Sequence, residues 1–320
     1  MPVRFLVLLL LAVTVSATEL EIAVIPKGTT HEFWKSIHAG AVKAERELTA
    51  AGTPVKILWK GPLKEDDRSG QIEVVENFVA RGVAGIVLAP LDDQALVVPV
   101  EAAARAKIPL VIIDSGIKTT HITSFVATNN LEGGRRGGER LAEILGGTGK
   151  VLLLRYSEGS ASTMLREQGF LEAIAKHPGI TVVSKSQYAG ATRDSALTAA
   201  QNLLNQHGEA LQGVFTPNES STAGMILALK QAGLAGTVKH VGFDCSKPLV
   251  DALKAGTLHG LVVQDPFQMG YLGVKHCVEA ILGKPVPTQI DTPVQLVTRD
   301  NLETQAIKDL LNPPLDQYLK

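Results

Sequence analysis

The sequence predicts an α/β protein made of two doubly wound parallel-sheet domains. Strand-like and helical segments alternate through almost the whole chain. Several strand segments, such as 85–89 and 110–113, are continuous apolar runs, which is typical of strands buried on both faces of a parallel sheet. The strands are too many for one open sheet, and they exceed the eight units of a closed TIM barrel. Two separate sheets are therefore predicted.

The first half of the chain contains five strand segments. The β-branched run 22–25 stops at Pro26, and a polar loop leads to a helix that begins near Phe33. A second helical pattern stops at Gly82, a residue type that ends helices readily. Asp92 can cap the next helix. The predicted strands are 22–25, 55–59, 85–89, 110–113 and 123–127, and the later helices are 67–81 and 92–107.

The same alternation repeats after Asn129 or Asn130, where the next helix begins and runs to about residue 145. Each following strand is separated from the next by a helical pattern, as in repeated βα units. The predicted strands are 150–155, 180–186, 211–216, 238–243, 260–263 and 294–297. The predicted helices are 162–176, 193–206, 220–231, 247–255, 266–282 and 302–311.

Composition and the first residues restrict the class of protein. The chain has 320 residues, 45% of them hydrophobic, and a formal net charge of −1 without a basic stripe, which disfavours nucleic-acid binding. Arg4, the short apolar run 5–15 and the small residues 15–17 fit a secretory signal peptide cleaved before Thr18. The apolar run is too short to predict a membrane span. We therefore expect an exported, periplasmic protein with residues 1–17 removed.

Several familiar motifs are absent or incomplete. The segment 146–150, GGTGK, lacks the spacing of a phosphate-binding loop and is predicted to end a helix and turn into a strand. The glycines of 133–138, GGRRGG, are predicted to allow close helix packing. No metal-ligand spacing or GxSxG elbow occurs, so neither a cofactor nor an enzyme is predicted. Cys245 and Cys277 either pair in the oxidising compartment or remain free thiols.

Polar side chains follow most of the predicted strands, where ligands bind in open α/β sheets. Two adjacent aromatic residues, Phe33 and Trp34, stand at the first strand-to-helix turn, and aromatic faces suit the C–H faces of a sugar ring. Carboxylates, amides and Arg exchange hydrogen bonds with hydroxyls, and no nucleophile–base pair stands beside them. This inventory predicts polyol binding. The polar residues are Asp114, Asn129, Asn130, Arg166, Asn218, Asp244 and Gln264.

Three short motifs carry a resemblance to a known family: His-Glu-Phe-Trp at 31–34, Val-Gly-Phe-Asp at 241–244, and Gln264 before Pro266. The chain resembles the periplasmic sugar-binding proteins of the ribose-binding type, which serve ABC importers and are relatives of the ligand domains of LacI-type repressors. The resemblance implies two lobes joined by crossovers near Thr128, Gln264 and Pro293. It implies a first lobe of 18–127 plus 265–292 and a second of 128–264 plus 293–320, which close on ligand by a hinge motion.

The resemblance also implies individual roles. Phe33, Trp34 and Phe243 would sandwich the sugar ring, and Asp114 and Asp244 would accept hydrogen bonds from its hydroxyls. Arg166 would hold the ring oxygen or a hydroxyl, and the rest of the polar shell would be Asn130, Asn218 and Gln264.

The chain also departs from the ribose-binding pattern. His31 and Ala89 replace two Asn residues of the ribose binders. Lys27 follows the first strand as in autoinducer-2 binding proteins, and 60–62, Lys-Gly-Pro, resembles them too. Lys27 and His31 can therefore hydrogen-bond additional hydroxyls or an acidic group of the ligand, and the alternative for Lys27 is that its side chain points to solvent.

We therefore predict a monomeric solute-binding protein that captures a monosaccharide or polyol between its lobes and delivers it to the permease of an ABC importer. An alternative is a sensor that presents a bound sugar or an autoinducer-2-like ligand to a membrane receptor. A LacI-type repressor would need a helix-turn-helix module before Glu21, where only the signal-like segment stands. A sugar-acting enzyme would need an acid–base pair, which the pattern lacks.

Overall fold

Two six-stranded sheets form the centres of two lobes in the computed structural model, which describes residues 18–319. The predicted signal segment 1–17 lies outside the described residues. The strands are β1 Leu20–Ile25, β2 Val55–Trp59, β3 Gly85–Leu88, β4 Leu110–Ile113, β5 Ser124–Thr128, β6 Thr148–Leu153, β7 Gly179–Ser184, β8 Gly213–Phe215, β9 Lys239–Phe243, β10 Gly260–Gln264, β11 Gln289–Thr292 and β12 Val294–Val297.

Eleven α-helices connect or flank these strands within the described residues. They are α1 Glu32–Ala50, α2 Arg68–Arg81, α3 Val97–Arg105, α4 Asn130–Ile144, α5 Ala161–Ile174, α6 Arg193–His207, α7 Glu219–Gln231, α8 Lys247–Ala255, α9 Pro266–Ile281, α10 Gln305–Leu311 and α11 Leu315–Tyr318.

The two sheets have equivalent strand orders. The first lobe has the order β11-β5-β4-β3-β1-β2, and the second has β12-β10-β9-β8-β6-β7. All neighbouring strands are parallel except β12, which runs antiparallel to β10. The predicted pair of doubly wound sheets is confirmed. The chain passes between the sheets after β5, after β10 and between β11 and β12, where Thr128 Oγ1 and Thr292 Oγ1 are 3.4 Å apart.

Each sheet is covered on both faces because its central strands carry buried apolar side chains on both of them. In β1, Ile22 and Val24 pack towards α1 and α9, whereas Ala23 and Ile25 pack towards α2 and α3. The second sheet is covered by α4 and α5 on one face and by α6 and α7 on the other. Burial of this kind contributes about 25 cal/mol per Å² of apolar surface. This packing holds the strands in place, and with them the loops that follow the carboxyl ends of the strands.

The glycine-rich start of α4 allows the closest helix contact in the second lobe. A side chain at Gly134 would collide with the backbone oxygen of Arg166 on α5, and one at Gly137 would collide with the ring of Phe215. The predicted helix packing is confirmed. Gly146 and Gly147 have φ of 62° and 74° and turn the chain into β6, so the predicted helix end is confirmed too.

Two predicted helices begin later in the structure than expected, and one strand of the structure was not predicted. The helix predicted over 92–107 begins only at Val97, because Asp92 Oδ1 accepts hydrogen bonds from the Gln94 and Ala95 N–H groups and holds a turn instead. The strand β11 was not predicted, since its sequence, QIDT, is largely polar and exposed. The helix predicted over 302–311 begins at Gln305.

The last helix, α11, contacts α1 of the first lobe, although it lies in the stretch assigned by the predicted boundaries to the second. Arg46 donates hydrogen bonds to the backbone oxygens of Gln317 (2.8 Å) and Tyr318 (3.3 Å). The lobe boundaries stay a prediction. No helix among residues 18–319 has the length and apolarity that a membrane crossing requires. Cys245 and Cys277 are free thiols.

Candidate functional site

Two aspartates occupy equivalent positions at the facing edges of the two sheets. Asp114 follows β4 and Asp244 follows β9, each the third strand in its sheet order. Both have left-handed backbone conformations, with φ of 63° and 68°, which Asp tolerates better than most residues. Their N–H groups donate to Val126 O (3.1 Å) and Val262 O (2.8 Å) on the neighbouring strands. The fold therefore places two carboxylates across one cleft.

The cleft encloses a cavity of about 30 Å³, which is room for one or two water molecules. A sugar ring can therefore enter only when the lobes separate. Nine of the eleven predicted site residues line this cavity, and Asn130 and Phe243 do not. The lining residues are Lys27, His31, Phe33, Trp34, Glu65, Asp114, Tyr156, Ser162, Thr163, Arg166, Asn218, Glu219, Asp244 and Gln264.

Arg166 is the centre of the second lobe's side of the cavity, and it is 2% exposed. Its Nε donates to Asn130 Oδ1 (2.8 Å), and its Nη1 donates to the backbone oxygen of Pro217 (3.0 Å). The ring of Phe243 lies beneath the guanidinium, 4.0 Å from Cζ to the ring centroid. Asn130 and Phe243 therefore support Arg166 from behind, and Phe243 is fully buried and lies outside the lining of the cavity that it was predicted to wall.

Asp244 is held by the same lobe. Its Oδ1 accepts from Gln264 Nε2 (2.6 Å), its Oδ2 accepts from the Glu219 N–H (3.0 Å), and Arg166 Nη1 lies 3.9 Å from Oδ2. Burial raises the pKa of the Asp244 carboxyl, which Arg166 opposes, and burial lowers the pKa of Arg166, which Asp244 opposes. Each group of this buried pair thus stabilises the charged form of the other.

Asn218 is the N-cap of α7. Its Oδ1 accepts from the Ser221 N–H (3.2 Å), and its Nδ2 donates to Ser220 Oγ (3.1 Å). Its side chain reaches the cavity, but much of its hydrogen-bonding capacity stabilises the helix start.

The first lobe's side is organised around Lys27, which is 5% exposed. Its Nζ lies 2.8 Å from Asp114 Oδ2 in an ion pair, outside hydrogen-bond alignment, and donates to Ser162 Oγ of the second lobe (3.2 Å). Ser115 Oγ accepts from the Ser162 N–H (3.1 Å), a second contact across the cleft. Lys27 thus faces the cavity and not the solvent.

Glu65 is a largely buried carboxylate, with its side chain 10% exposed, that the sequence reasoning missed. Its Oε1 accepts from Trp34 Nε1 (2.7 Å), and its Oε2 accepts from the Tyr156 hydroxyl of the other lobe (2.7 Å). His31 Nδ1 lies 3.4 Å from Glu65 Oε1 and 3.9 Å from Glu219 Oε2. Burial, and then the charge of Glu65, raises the pKa of Tyr156 well above its usual value.

The other residues missed from the sequence are Tyr156, Ser162, Thr163 and Glu219. Tyr156 comes just after the β6 strand end and Glu65 lies in the loop that follows β2, so a full list of strand ends and following loops could have included both. Ser162 and Thr163 stand in the first turn of α5, where serines and threonines are common for structural reasons. Nothing in the sequence distinguishes Glu219 from an ordinary helix-start carboxylate.

Two buried polar atoms around the cavity, Arg166 Nη2 and Gln264 Oε1, have no hydrogen-bond partner among residues 18–319, and a third, Asp114 Oδ2, has only the unaligned ion pair to Lys27. Buried polar groups are nearly always satisfied, and leaving one unmade costs roughly 1–3 kcal/mol. Two acceptors and one donor therefore converge on one small space. Within the same described residues there is no group of three or more His, Cys, Asp or Glu side chains arranged to hold a metal ion.

Two six-stranded parallel α/β lobes that enclose a polar cavity define the type I periplasmic binding protein class. The periplasmic binding protein domain family matches residues 22–285, and the chain belongs to this family.

Relatives and solved structures of the class are similar over nearly the full length. The chain is 30% identical to the ribose import binding protein of Salmonella typhimurium, over 90% of this chain and 95% of that protein. The solved structure of a carbohydrate transporter solute-binding protein of Agrobacterium radiobacter, in complex with D-arabinose, is 35% identical with a TM-score of 0.86, covering 92% and 99% of the two chains. An ABC transporter solute-binding protein of Agrobacterium vitis with bound D-fucose is 34% identical with a TM-score of 0.86, covering 91% and 100%.

Proposed function

We propose that the protein captures an uncharged monosaccharide or polyol between its lobes in the periplasm and delivers it to the permease of an ABC importer. The observation that carries the proposal is a set of three buried atoms. Arg166 Nη2 and Gln264 Oε1 have no hydrogen-bond partner among the described residues, and Asp114 Oδ2 has only the unaligned ion pair to Lys27. A hydroxyl both donates and accepts, so neighbouring hydroxyls of one sugar can satisfy all three atoms.

The charges around the cavity support an uncharged ligand. Lys27 is already paired with Asp114, and Arg166 faces Asp244. Two further carboxylates, Glu65 and Glu219, also line the cavity. The lining therefore holds more negative than positive groups, and a sugar acid would meet uncompensated repulsion at short range. This argues against the predicted role of Lys27 and His31 towards an acidic group.

The walls support a ring-shaped ligand. Phe33 and Trp34 stand edge to face with centroids 5.0 Å apart, and Tyr156 faces the cavity from the other lobe. Aromatic faces bury the C–H face of a sugar while hydroxyls point to the polar groups. The named relatives bind or import ribose, D-arabinose and D-fucose, all uncharged sugars.

The remaining parts of the proposal concern export and turnover. Residues 1–17 would be removed during export, so the mature protein would begin at Thr18. The bound sugar would leave chemically unchanged, and the protein would act as a monomer that binds no nucleic acid. Mass spectrometry of the periplasmic protein and of ligand recovered after incubation would test the first two statements.

A thermal-shift screen followed by calorimetry tests the ligand class. The purified mature chain is exposed to pentoses, hexoses, polyols, sugar acids and autoinducer-2. We expect a clear stabilisation by at least one uncharged sugar or polyol, because a ligand at 100 times its Kd stabilises the folded state by about 2.7 kcal/mol. Selective stabilisation by a sugar acid, or no response to any uncharged sugar or polyol, would contradict the proposal.

A further inference from the structure

We propose that Glu65 is a positioning residue that couples lobe closure to the orientation of two aromatic rings of the site, Trp34 and Tyr156. Sugar affinity and selectivity then depend on Glu65. The inference rests on the proposed function, which supplies the sugar. Glu65 orients Trp34 before the ligand arrives. Its role is completed on closure, when the second lobe brings the Tyr156 hydroxyl onto the same carboxylate.

The geometry of the carboxylate supports this role. Each oxygen accepts one short hydrogen bond, 2.7 Å from Trp34 Nε1 and 2.7 Å from the Tyr156 hydroxyl. Trp34 and Tyr156 are each 3% exposed, so neither donor has water as a ready replacement. Charge-assisted bonds of this length are about twice as strong as neutral ones. Glu65 therefore fixes the position of the donor atom on each ring, and with it the reach of the ring into the cleft.

The chain leaves space for Glu65 to reach the cleft. A side chain at Gly28 would lie 2.9 Å from Glu65 Cγ, which is closer than real Cβ atoms approach. Glycine at this position lets the carboxylate pass over the loop after β1. Glu65 itself belongs to the loop between β2 and α2, so its backbone is fixed to the first lobe while one of its partners belongs to the second.

The two hydrogen bonds respond differently to opening. The bond to Trp34 joins two residues of the first lobe and persists when the lobes separate. The bond to Tyr156 crosses the cleft, as do those of Lys27 to Ser162 and of Arg68 Nη2 to the Glu158 backbone oxygen. Closure therefore adds Tyr156 to a wall already oriented by Glu65. A ligand that holds the rings at a different separation loses this bond, and that loss provides selectivity.

The experiment uses the full mature chain with Trp59→Phe as background, so that Trp34 is the single tryptophan reporter. Glu65→Gln, Tyr156→Phe and the control Asp66→Asn are compared, the control being an exposed carboxylate in the same loop. Trp34 emission is recorded without sugar. Affinity and dissociation rate are then measured for D-ribose, D-arabinose and D-fucose.

For Glu65→Gln we expect a shifted Trp34 emission without sugar and at least tenfold weaker binding, because an amide oxygen cannot replace both carboxylate oxygens. Tyr156→Phe should leave the sugar-free emission unchanged and weaken binding through faster dissociation. Asp66→Asn should resemble the background in all three readouts. These three patterns distinguish orientation of Trp34 from a general loss of charge.

Two results separate the possible failures. If Glu65→Gln and Tyr156→Phe bind the sugars as the background does, the role of Glu65 is overturned while sugar binding stands. If the background protein binds none of the three sugars, the proposed capture of ribose-like, arabinose-like or fucose-like sugars is overturned. The sugar-free emission of Glu65→Gln then still decides whether Glu65 orients Trp34. An unshifted emission there also overturns the inference.

Discussion

Asp114 and Asp244 have the same place in the two sheets and the same left-handed backbone, yet their partners differ in kind. Asp244 is held by its own lobe, through Gln264, the Glu219 N–H and Arg166. Asp114 is paired with Lys27, whose ammonium group reaches across the cleft to Ser162. Both carboxylates are therefore paired with a cation of their own lobe. The partners of Arg166 all belong to the second lobe, whereas Lys27 has one partner, Ser162, that it gains only when the lobes are together.

This difference indicates how binding proceeds. A half-site held by hydrogen bonds within one lobe is preorganised, so a sugar that meets the second lobe first meets little ordering cost. The first lobe then closes, and its polar groups gain their cross-cleft partners only at that stage. Ligand contacts that bridge both halves shift the equilibrium towards the closed form.

The largest expected effect is that of Arg166→Met on the ligand-free protein. Removal of this guanidinium leaves the Asp244 carboxylate without its cation and the Asn130 and Pro217 oxygens without donors. Breaking a buried pair on one side costs about 3–5 kcal/mol of unfolding free energy. Lys27→Met should cost much less, because Asp114 can be hydrated when the lobes are open. Chemical denaturation of both variants without sugar measures the contrast.

Arg135→Met is the matched control for that contrast. Arg135 pairs with Glu172 on the outer surface of the second lobe, with each side chain 38% exposed. Exposed pairs contribute about 0–1 kcal/mol. Equal losses for Arg166→Met and Lys27→Met would show that the two halves are equally preorganised and would remove the asymmetry.

The next effect concerns the two aspartates themselves. Asn tolerates the left-handed conformation, so Asp114→Asn and Asp244→Asn change the charge and leave the backbone unstrained. Hydrogen bonds to charged groups contribute roughly 1.5–3 kcal/mol, and each variant should weaken sugar binding by about that amount. Only Asp244→Asn should also lower the unfolding free energy of the ligand-free protein. Calorimetry and denaturation together give both quantities, and an unchanged affinity for Asp114→Asn would exclude its carboxylate from the site.

The positions of these aspartates were predictable from sequence, and their partners were not. A polar residue after an apolar strand lies at the binding edge of a parallel sheet whatever its neighbours are, so Asp114, Asp244 and Gln264 could be found one by one. Contacts across the cleft, such as Glu65 to Tyr156, join residues 91 positions apart from different lobes, and no local pattern encodes them. Phe243 was predicted to line the cavity, but the Arg166 guanidinium lies between its ring and the cavity. The sequence of a buried strand end does not reveal such a contact with another element.

A pH-dependent effect should arise from a buried histidine in the sheet of the second lobe. His240 in β9 is fully buried, and burial lowers its pKa to about 3, whereas the unfolded chain has the ordinary value of 6.5. Between these values only the unfolded state binds the proton. The contribution of His240 to the unfolding free energy is therefore constant above pH 6.5 and falls by about 1.4 kcal/mol per pH unit below it. Urea unfolding from pH 7 to pH 4 should show this slope together with that of His259, whose pKa burial lowers to about 4.

His240→Gln isolates that contribution. The amide can still hydrogen-bond Thr216 Oγ1, which lies 2.8 Å from His240 Nε2. The variant should lose about 1.4 kcal/mol per pH unit less than the unmodified chain between pH 6 and pH 4. Parallel pH profiles for the two proteins would show that His240 does not contribute to acid sensitivity.

The smallest expected effect concerns the C-terminal segment, which gives the lobes a further contact. In α10 Ile307 is buried against the second lobe, Pro313 and Pro314 stiffen the connection, and α11 is held on the first lobe by Arg46. These last contacts are exposed, so deletion of 315–320 should weaken sugar binding by less than about 1 kcal/mol, through faster release. Stopped-flow dissociation measures this change. A loss above tenfold would instead make α11 part of the closure mechanism, and slower release would mean that it opposes closure.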